Sequence, residues 1–214
     1  VTVGLPTQDE GGPARRPPAP TRRELIEGLA AELEAGGIDG SRHEAERILA
    51  HVLGVSRTDL VLRGDLPISP EDAGHIADIS RRRLSGVPLQ HLEGTVAFRD
   101  LVLVCDGRAL VPRPETEQLV QSVVDWARGG RSRKGVRRVV RRETGRAPTL
   151  DVALDIGTGS GAIALSLLHE GVVSRAVAVD VSASALQQAT ENAARLDLEE
   201  RIEFRRTGGS PWDA

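Results

Sequence analysis

Methionine and tyrosine are missing from this 214-residue chain, cysteine and asparagine occur once each, and aromatic residues make up only 2%. With Cys105 alone no internal disulfide can form. His43, His51, His75, His91 and His169 are scattered without metal-ligand spacing, and each reads as a surface or satisfied core residue. No apolar run approaches about eighteen residues and the N-terminus has no continuous apolar stretch, so neither a membrane span nor a signal peptide is expected, and the reading is a soluble, cytoplasmic protein. A formal net charge of −3 leaves no global field to recruit nucleic acid. Without methionine, Val1 reads either as a non-standard start or as a sign of uncertain ends. Lys134 is the only lysine among 28 basic residues, a bias that reflects a GC-rich genome more than a function.

What is present narrows the chemistry. Asp155-Ile156-Gly157-Thr158-Gly159-Ser160-Gly161-Ala162 follows the mostly apolar run Leu150 to Leu154, and Asp180 comes nineteen residues after Gly161. That pattern predicts a strand, a glycine turn, a helix and a second strand ending in a carboxylate, the first half of a nucleotide-binding α/β unit. Glycines let the backbone turn sharply and approach a ligand, and a helix opening at Ala162 would aim its free N–H groups at any anionic part of it. Asp180, at the end of the next strand, could accept both ribose hydroxyls. Gly157, Gly159 and Ala162 also satisfy a loose dinucleotide pattern, which keeps a nicotinamide cofactor open. The extra Gly161 and the preceding Asp155 favour a D-x-G-x-G-x-G arrangement similar to the S-adenosylmethionine loop of class I methyltransferases.

Residues 1–20 carry six glycines and prolines from Gly11 onward and no apolar periodicity, and read as a disordered tail. Thr21-x-x-Glu24 and Ser41-x-x-Glu44 both fit a capping box. The first helix would bury Leu25, Ile26, Leu29, Ala30 and Leu33 and stop at Gly36-Gly37. The second would bury Ala45, Ile48, Leu49 and Val52 and stop at Gly54. Ser56 caps a short third helix, and Ser69-Pro70-Glu71 starts a fourth that runs through Ile76, Ile79 and Leu84 to Gly86. Four helices over 21–85 make a small all-α bundle.

From Gly94 to Val111 the pattern alternates through Val96, Phe98, Leu101, Leu103 and Cys105, with Asp106-Gly107 as a turn signal; residues 86–111 read as a linker and β-hairpin. A helix opened by Pro114 follows, with the stripe Leu119, Val120, Val123, Val124 and Trp126. The segment 128–148 is strongly basic, with Arg131, Arg133, Lys134, Arg137, Arg138, Arg141, Arg142 and Arg146 against Glu143 alone. It reads first as a solvated insertion. The alternative is weak contact with RNA or a ribosomal surface, since arginines neutralise phosphates although no aromatic residue is interleaved to stack bases. Beyond it the strands are placed at Leu150–Ile156, 176–181 and 202–206, with helices over 162–169 and 184–196.

Three strings together resemble the protein-glutamine methyltransferases of peptide chain release factors: Gly86-Val87-Pro88-Leu89-Gln90, the hairpin with Phe98 leading to Val111-Pro112-Arg113-Pro114-Glu115-Thr116-Glu117, and Asp155 to Gly161 with Asp180. The resemblance covers residues 21 to about 206. His91 stands where the family usually has tyrosine, and the basic insertion is longer than usual. The resemblance implies an α/β fold, with a class I Rossmann-like parallel sheet preceded by the bundle and hairpin. It implies that the bundle 21–85 helps hold the release factor and that 112–214 binds S-adenosylmethionine. The methyl would go to the side-chain amide nitrogen of a glutamine in a Gly-Gly-Gln loop. Carried over by position, Gly157, Thr158, Gly159, Ser160 and Gly161 line the cofactor, Asp180 holds its ribose, Arg113 to Glu117 close the near wall, and Trp212 takes the place beside the adenine.

One family string is missing. Asn-Pro-Pro-Tyr, which activates the glutamine, is absent; the one asparagine, Asn192, falls in a predicted helix. An amide nitrogen is a poor nucleophile, and two fixed acceptors are needed to align it and stabilise the positive charge that develops on transfer. No catalytic residue is therefore assigned, only the first half of the sheet is expected, and the chain reads as C-terminally incomplete. Its first strand should form an exposed edge. Two alternatives stay open: a non-catalytic remnant that docks a release factor, and a nucleic-acid adenine methyltransferase.

Overall fold

The computed structural model describes residues 19–128 and 150–208. It divides into two compact units, parted between Leu84 and Ser85.

The first unit holds four helices: α1 Arg22–Ala35, α2 Ser41–Leu53, α3 Arg57–Leu62 and α4 Pro70–Leu84. Thr21 forms the expected capping box. Its hydroxyl accepts from the Glu24 N–H at 3.3 Å, and its own N–H donates to Glu24 Oε2 at 2.8 Å, satisfying two donors that the first turn leaves free. Ser56 and Ser69 cap α3 and α4 in the same way, each accepting the N–H of an aspartate three residues on. Ser41 does not. Gly40 adopts a left-handed φ of 68°, which starts α2 at Ser41 itself and leaves no side-chain cap. Glu44 is taken instead by Arg83, which donates through Nε at 2.6 Å and Nη2 at 3.1 Å and so ties α2 to α4.

The core of this unit is Ile26, Leu29, Leu33, Ala45, Ile48, Leu49, Leu60, Ile68 and Ile76, while Leu25, Ala30 and Val52 are only half-buried. Burying one large aliphatic side chain contributes about 1.5–3 kcal/mol, against about 0–1 for an exposed ion pair such as Arg23 with Asp65. The aliphatic layer therefore decides the stability. At Gly36, where α1 ends, a Cβ would meet Leu84 Cδ2, so a larger residue there would have to displace the tip of that side chain.

The second unit begins with a short helix that the alternation did not reveal, α5 Leu89–Glu93. The hairpin pairs β1 Thr95–Phe98 with β2 Leu101–Val104. Its turn is Arg99-Asp100, with Arg99 at φ 51°; the Asp106-Gly107 signal marks a second turn after β2. Helix α6, Pro114–Ala127, turns Val120, Val124 and Ala127 inward, whereas Leu119 and Trp126 face solvent at 54% and 44% exposure. The inward set follows i, i+4, i+7, which leaves both of those large residues off the buried face.

Strand β3 Leu150–Ile156, helix α7 Ala162–His169, strand β4 Val173–Asp180, helix α8 Ala183–Arg195, a short 3₁₀ turn Glu199–Arg201 and strand β5 Ile202–Arg206 complete the unit. Strand β4 starts three residues earlier than the sequence suggested, because Val173 is fully buried and pairs with Leu150. The sheet is parallel in the order β3-β4-β5. Two successive crossovers in the same direction put α7 and α8 on one face, since such crossovers are right-handed. There Ala176, Ala178, Ile202, Leu165, Leu168 and Ala193 form one core with Phe98 and Leu103 of the hairpin. On the opposite face of β3, Val152, Leu154 and Ile156 are 59%, 51% and 48% exposed, so that face is uncovered; among the described residues β3 is also an edge of the sheet, paired with β4 alone.

Candidate functional site

The glycine loop joins β3 to α7. Gly157, Gly159 and Gly161 take φ of 73°, 56° and 83°, a left-handed region that other residues enter at a cost. Their surroundings differ. A Cβ at Gly157 would meet nothing within 4 Å, so the loop is open on that side. A Cβ at Gly161 would lie 2.9 Å from Leu165 Cδ1 and 3.3 Å from Ala189 Cβ, so on its other side the loop is packed against α7 and α8.

Three side chains hold the loop. Asp155, at the buried end of β3, accepts the Thr158 hydroxyl at 2.7 Å and the Ala164 N–H at 3.3 Å. One of the free donors of α7 is thus used internally, so the helix N-terminus offers a ligand fewer N–H groups than the sequence suggested. Burial pushes the Asp155 carboxyl above its ordinary range, opposed by those two donors and reinforced by the charge of Asp180. Asp180, the last residue of β4, accepts the Gly159 N–H through Oδ2 and the Ser182 N–H through Oδ1, each at 2.9 Å. A carboxylate offers about four lone-pair sites, so about two are left for ribose hydroxyls. The structure therefore brings Gly157, Thr158, Gly159, Ser160, Gly161 and Asp180 into one constellation whose open side, donor set and carboxylate fit an adenosyl cofactor.

The third, Asn192, was invisible in the sequence, and its neighbour Gln188 shares its partner strand without touching the loop. Asn192 and Gln188, fully buried on α8, both address Val104 at the end of β2. Asn192 Oδ1 accepts the Val104 N–H at 2.6 Å, and Gln188 Nε2 donates to the Val104 carbonyl at 2.7 Å. Asn192 Nδ2 also donates to the Ser160 carbonyl at 3.0 Å. Nothing in a helical pattern distinguishes these amides from surface residues except their i, i+4 spacing on the small-residue face with Ala185, Ala189 and Ala193. Nearby, Ala109 lies 4.0 Å from the position of a Cβ at Gly159, which brings the segment leading to Arg113 alongside the loop. Arg108 anchors that segment to α8 through Glu191 at 2.6 Å. Cys105 is buried here, which pushes its thiol up to about 11 and leaves it unreactive.

Among the described residues no group of three or more histidine, cysteine, aspartate or glutamate side chains could hold a metal ion, and no helix is long and apolar enough to cross a membrane. His91 departs from expectation, because its Nε2 is buried without a hydrogen-bond partner. Trp212, the basic segment from 129 on and the tail 1–18 lie outside the described residues.

Residues 24–94 match the family model described as the PrmC N-terminal domain, and residues 145–212 match a methyltransferase domain. Release factor glutamine methyltransferases from Agrobacterium fabrum and Deinococcus radiodurans are 35% and 37% identical over 171 and 177 residues, covering 80% and 83% of this chain and 54% and 57% of those proteins. The chain is a homologue of the release factor glutamine methyltransferases. The human MTRF1L release factor glutamine methyltransferase is 36% identical over 182 residues, 84% of this chain and 50% of its own length. The chain thus spans about half the length of the curated relatives it matches. The α/β order, with helices before a parallel sheet, is that of a methyltransferase domain.

Proposed function

We propose that this chain binds S-adenosylmethionine in the loop 157–161. In a protein of its relatives' length, acting in the cytoplasm, it would serve methylation of the glutamine side-chain amide in the Gly-Gly-Gln motif of a peptide chain release factor. One observation carries the reading: release factor glutamine methyltransferases 35–37% identical to this chain align across 80% or more of it, the helical unit and the glycine-loop unit together. A methyltransferase domain of another specificity would account for the second unit alone. The cofactor would supply an electrophilic methyl group on a sulfonium. The residues of the chain itself bind and orient: the open backbone at Gly157 admits the ligand, Asp180 accepts its ribose hydroxyls, and Arg113 to Glu117 form the adjoining wall. The first unit, 21–85, is the proposed release-factor support.

Calorimetry tests the cofactor claim. Losing hydrogen bonds to a charged group costs roughly 1.5–3 kcal/mol, so Asp180→Ala should bind S-adenosylmethionine about 10- to 100-fold more weakly. Equal affinities would remove Asp180 from the site. These 214 residues contain no Asn-Pro-Pro-Tyr, so assayed alone with radiolabelled cofactor and release factor they should transfer no methyl group above background. Turnover that disappears in Asp180→Ala would show that other acceptors position the glutamine.

A further inference from the structure

We propose that Asn192 is a positioning residue for the cofactor loop, acting through the Nδ2–H donated to Ser160; this rests on the cofactor reading above. Its amide joins three elements that are far apart in sequence. Oδ1 holds the Val104 N–H at 2.6 Å, and Nδ2 reaches both the Ser160 carbonyl at 3.0 Å and the Val104 carbonyl at 3.4 Å. One turn earlier, Ala189 of the same helix packs where a Cβ on Gly161 would go. Helix α8 therefore grips the Ser160–Gly161 peptide at two points, fixing the carbonyl through Asn192 and the α-carbon through Ala189. With that peptide fixed, the left-handed turn at Gly161 and the open surface at Gly157 are pre-formed. A ligand meeting a pre-formed loop avoids the cost of ordering it. Gln188 is the internal control, because it is equally buried and binds the same Val104 carbonyl but makes no bond to the loop.

Asn192→Asp separates donor from volume. An ionised carboxylate keeps the acceptor for Val104 but sets an oxygen against the Ser160 carbonyl; a protonated one donates again. Relative to wild type, titration with S-adenosylmethionine should show binding about 10-fold weaker at about pH 8, the factor for one lost buried hydrogen bond, with recovery toward wild type at about pH 5. The titratable groups on the elements that meet here are Glu191 and Arg195 of α8, Cys105, Asp106 and Arg108 beyond β2, and Asp155 and Asp180 around the loop. All are present in both proteins, so the ratio isolates position 192.

A ratio near one at every pH, or a loss that does not recover in acid, would overturn the donor role. Gln188→Met should leave affinity within about 2-fold, less than the effect of one ordinary hydrogen bond; a loss matching Asn192→Asp would reduce the inference to general packing of α8. If wild type binds no cofactor, the cofactor reading fails, and hydrogen exchange of residues 157–161 still decides the positioning claim: acid-reversible loss of protection in Asn192→Asp supports it, and unchanged protection overturns it. Should the aspartate variant not fold at about pH 8, Asn192→Ser replaces it, with pH-independent weakening of about 10-fold expected and wild-type affinity overturning the proposal.

Discussion

Substituting alanine at Gly161 and at Gly157 separates the two duties of the glycine loop. Both positions have positive φ, 83° and 73°, so either alanine would carry about 1–2 kcal/mol of left-handed backbone strain. At Gly161 the new methyl would also stand 2.9 Å from Leu165 Cδ1 and 3.3 Å from Ala189 Cβ. Both neighbours are fully or almost fully buried and cannot swing into solvent. Overpacking of that kind adds about 1–3 kcal/mol, for about 2–5 in all. At Gly157 nothing lies within 4 Å and the strain stands alone, but the methyl would project into the open side where the cofactor is proposed to bind. Urea denaturation should therefore show Gly161→Ala to be the less stable variant by about 1–3 kcal/mol. Cofactor titration should show Gly157→Ala losing more affinity than its small stability loss accounts for. Equal destabilisation by the two alanines would refute the packed side of the loop, and undiminished binding by Gly157→Ala would refute the open side.

Asp155 sets a pH dependence whose sign follows from burial. Its carboxyl is raised in the folded state above the ordinary 3.8, so the folded protein holds that proton more tightly than the unfolded chain, and this contribution to stability is lost as pH rises through the folded value. Asp155→Asn carries no such proton, so its stability relative to wild type should rise with pH across the window above 3.8; a pH-independent difference in chemical denaturation would contradict the desolvation argument. The exposed stripe Val152, Leu154 and Ile156 on the edge strand should make the chain self-associate and bind hydrophobic dye, with protease resistance centred on residues 21–85. Leu154→Lys should reduce that association in sedimentation velocity, and a wild type that stays monomeric with protection through Asp180 would contradict it.

Local backbone chemistry determined what the sequence could show. Thr21, Ser56 and Ser69 cap helices because the partner of each hydroxyl is three residues away, a distance that sequence fixes before any tertiary contact forms. The same holds for the glycine loop, whose three positive φ values few other residues tolerate, and for Asp180 at the end of its strand. Ser41 shows the limit of such reasoning. The capping box was formally present, but Gly40 entered the helix left-handed and Arg83, 39 residues from Glu44, claimed the carboxylate. Other decisive contacts bridge still longer separations: Arg99 to Glu170 at 2.5 Å, and Asn192 to Val104 and Ser160. A buried amide or guanidinium left without a partner pays an uncompensated desolvation cost, but which partner it finds depends on how the helices and strands come together. Sequence alone therefore determined the left-handed glycine loop between β3 and α7, and the tertiary structure decided which side of it is gripped and which is left open.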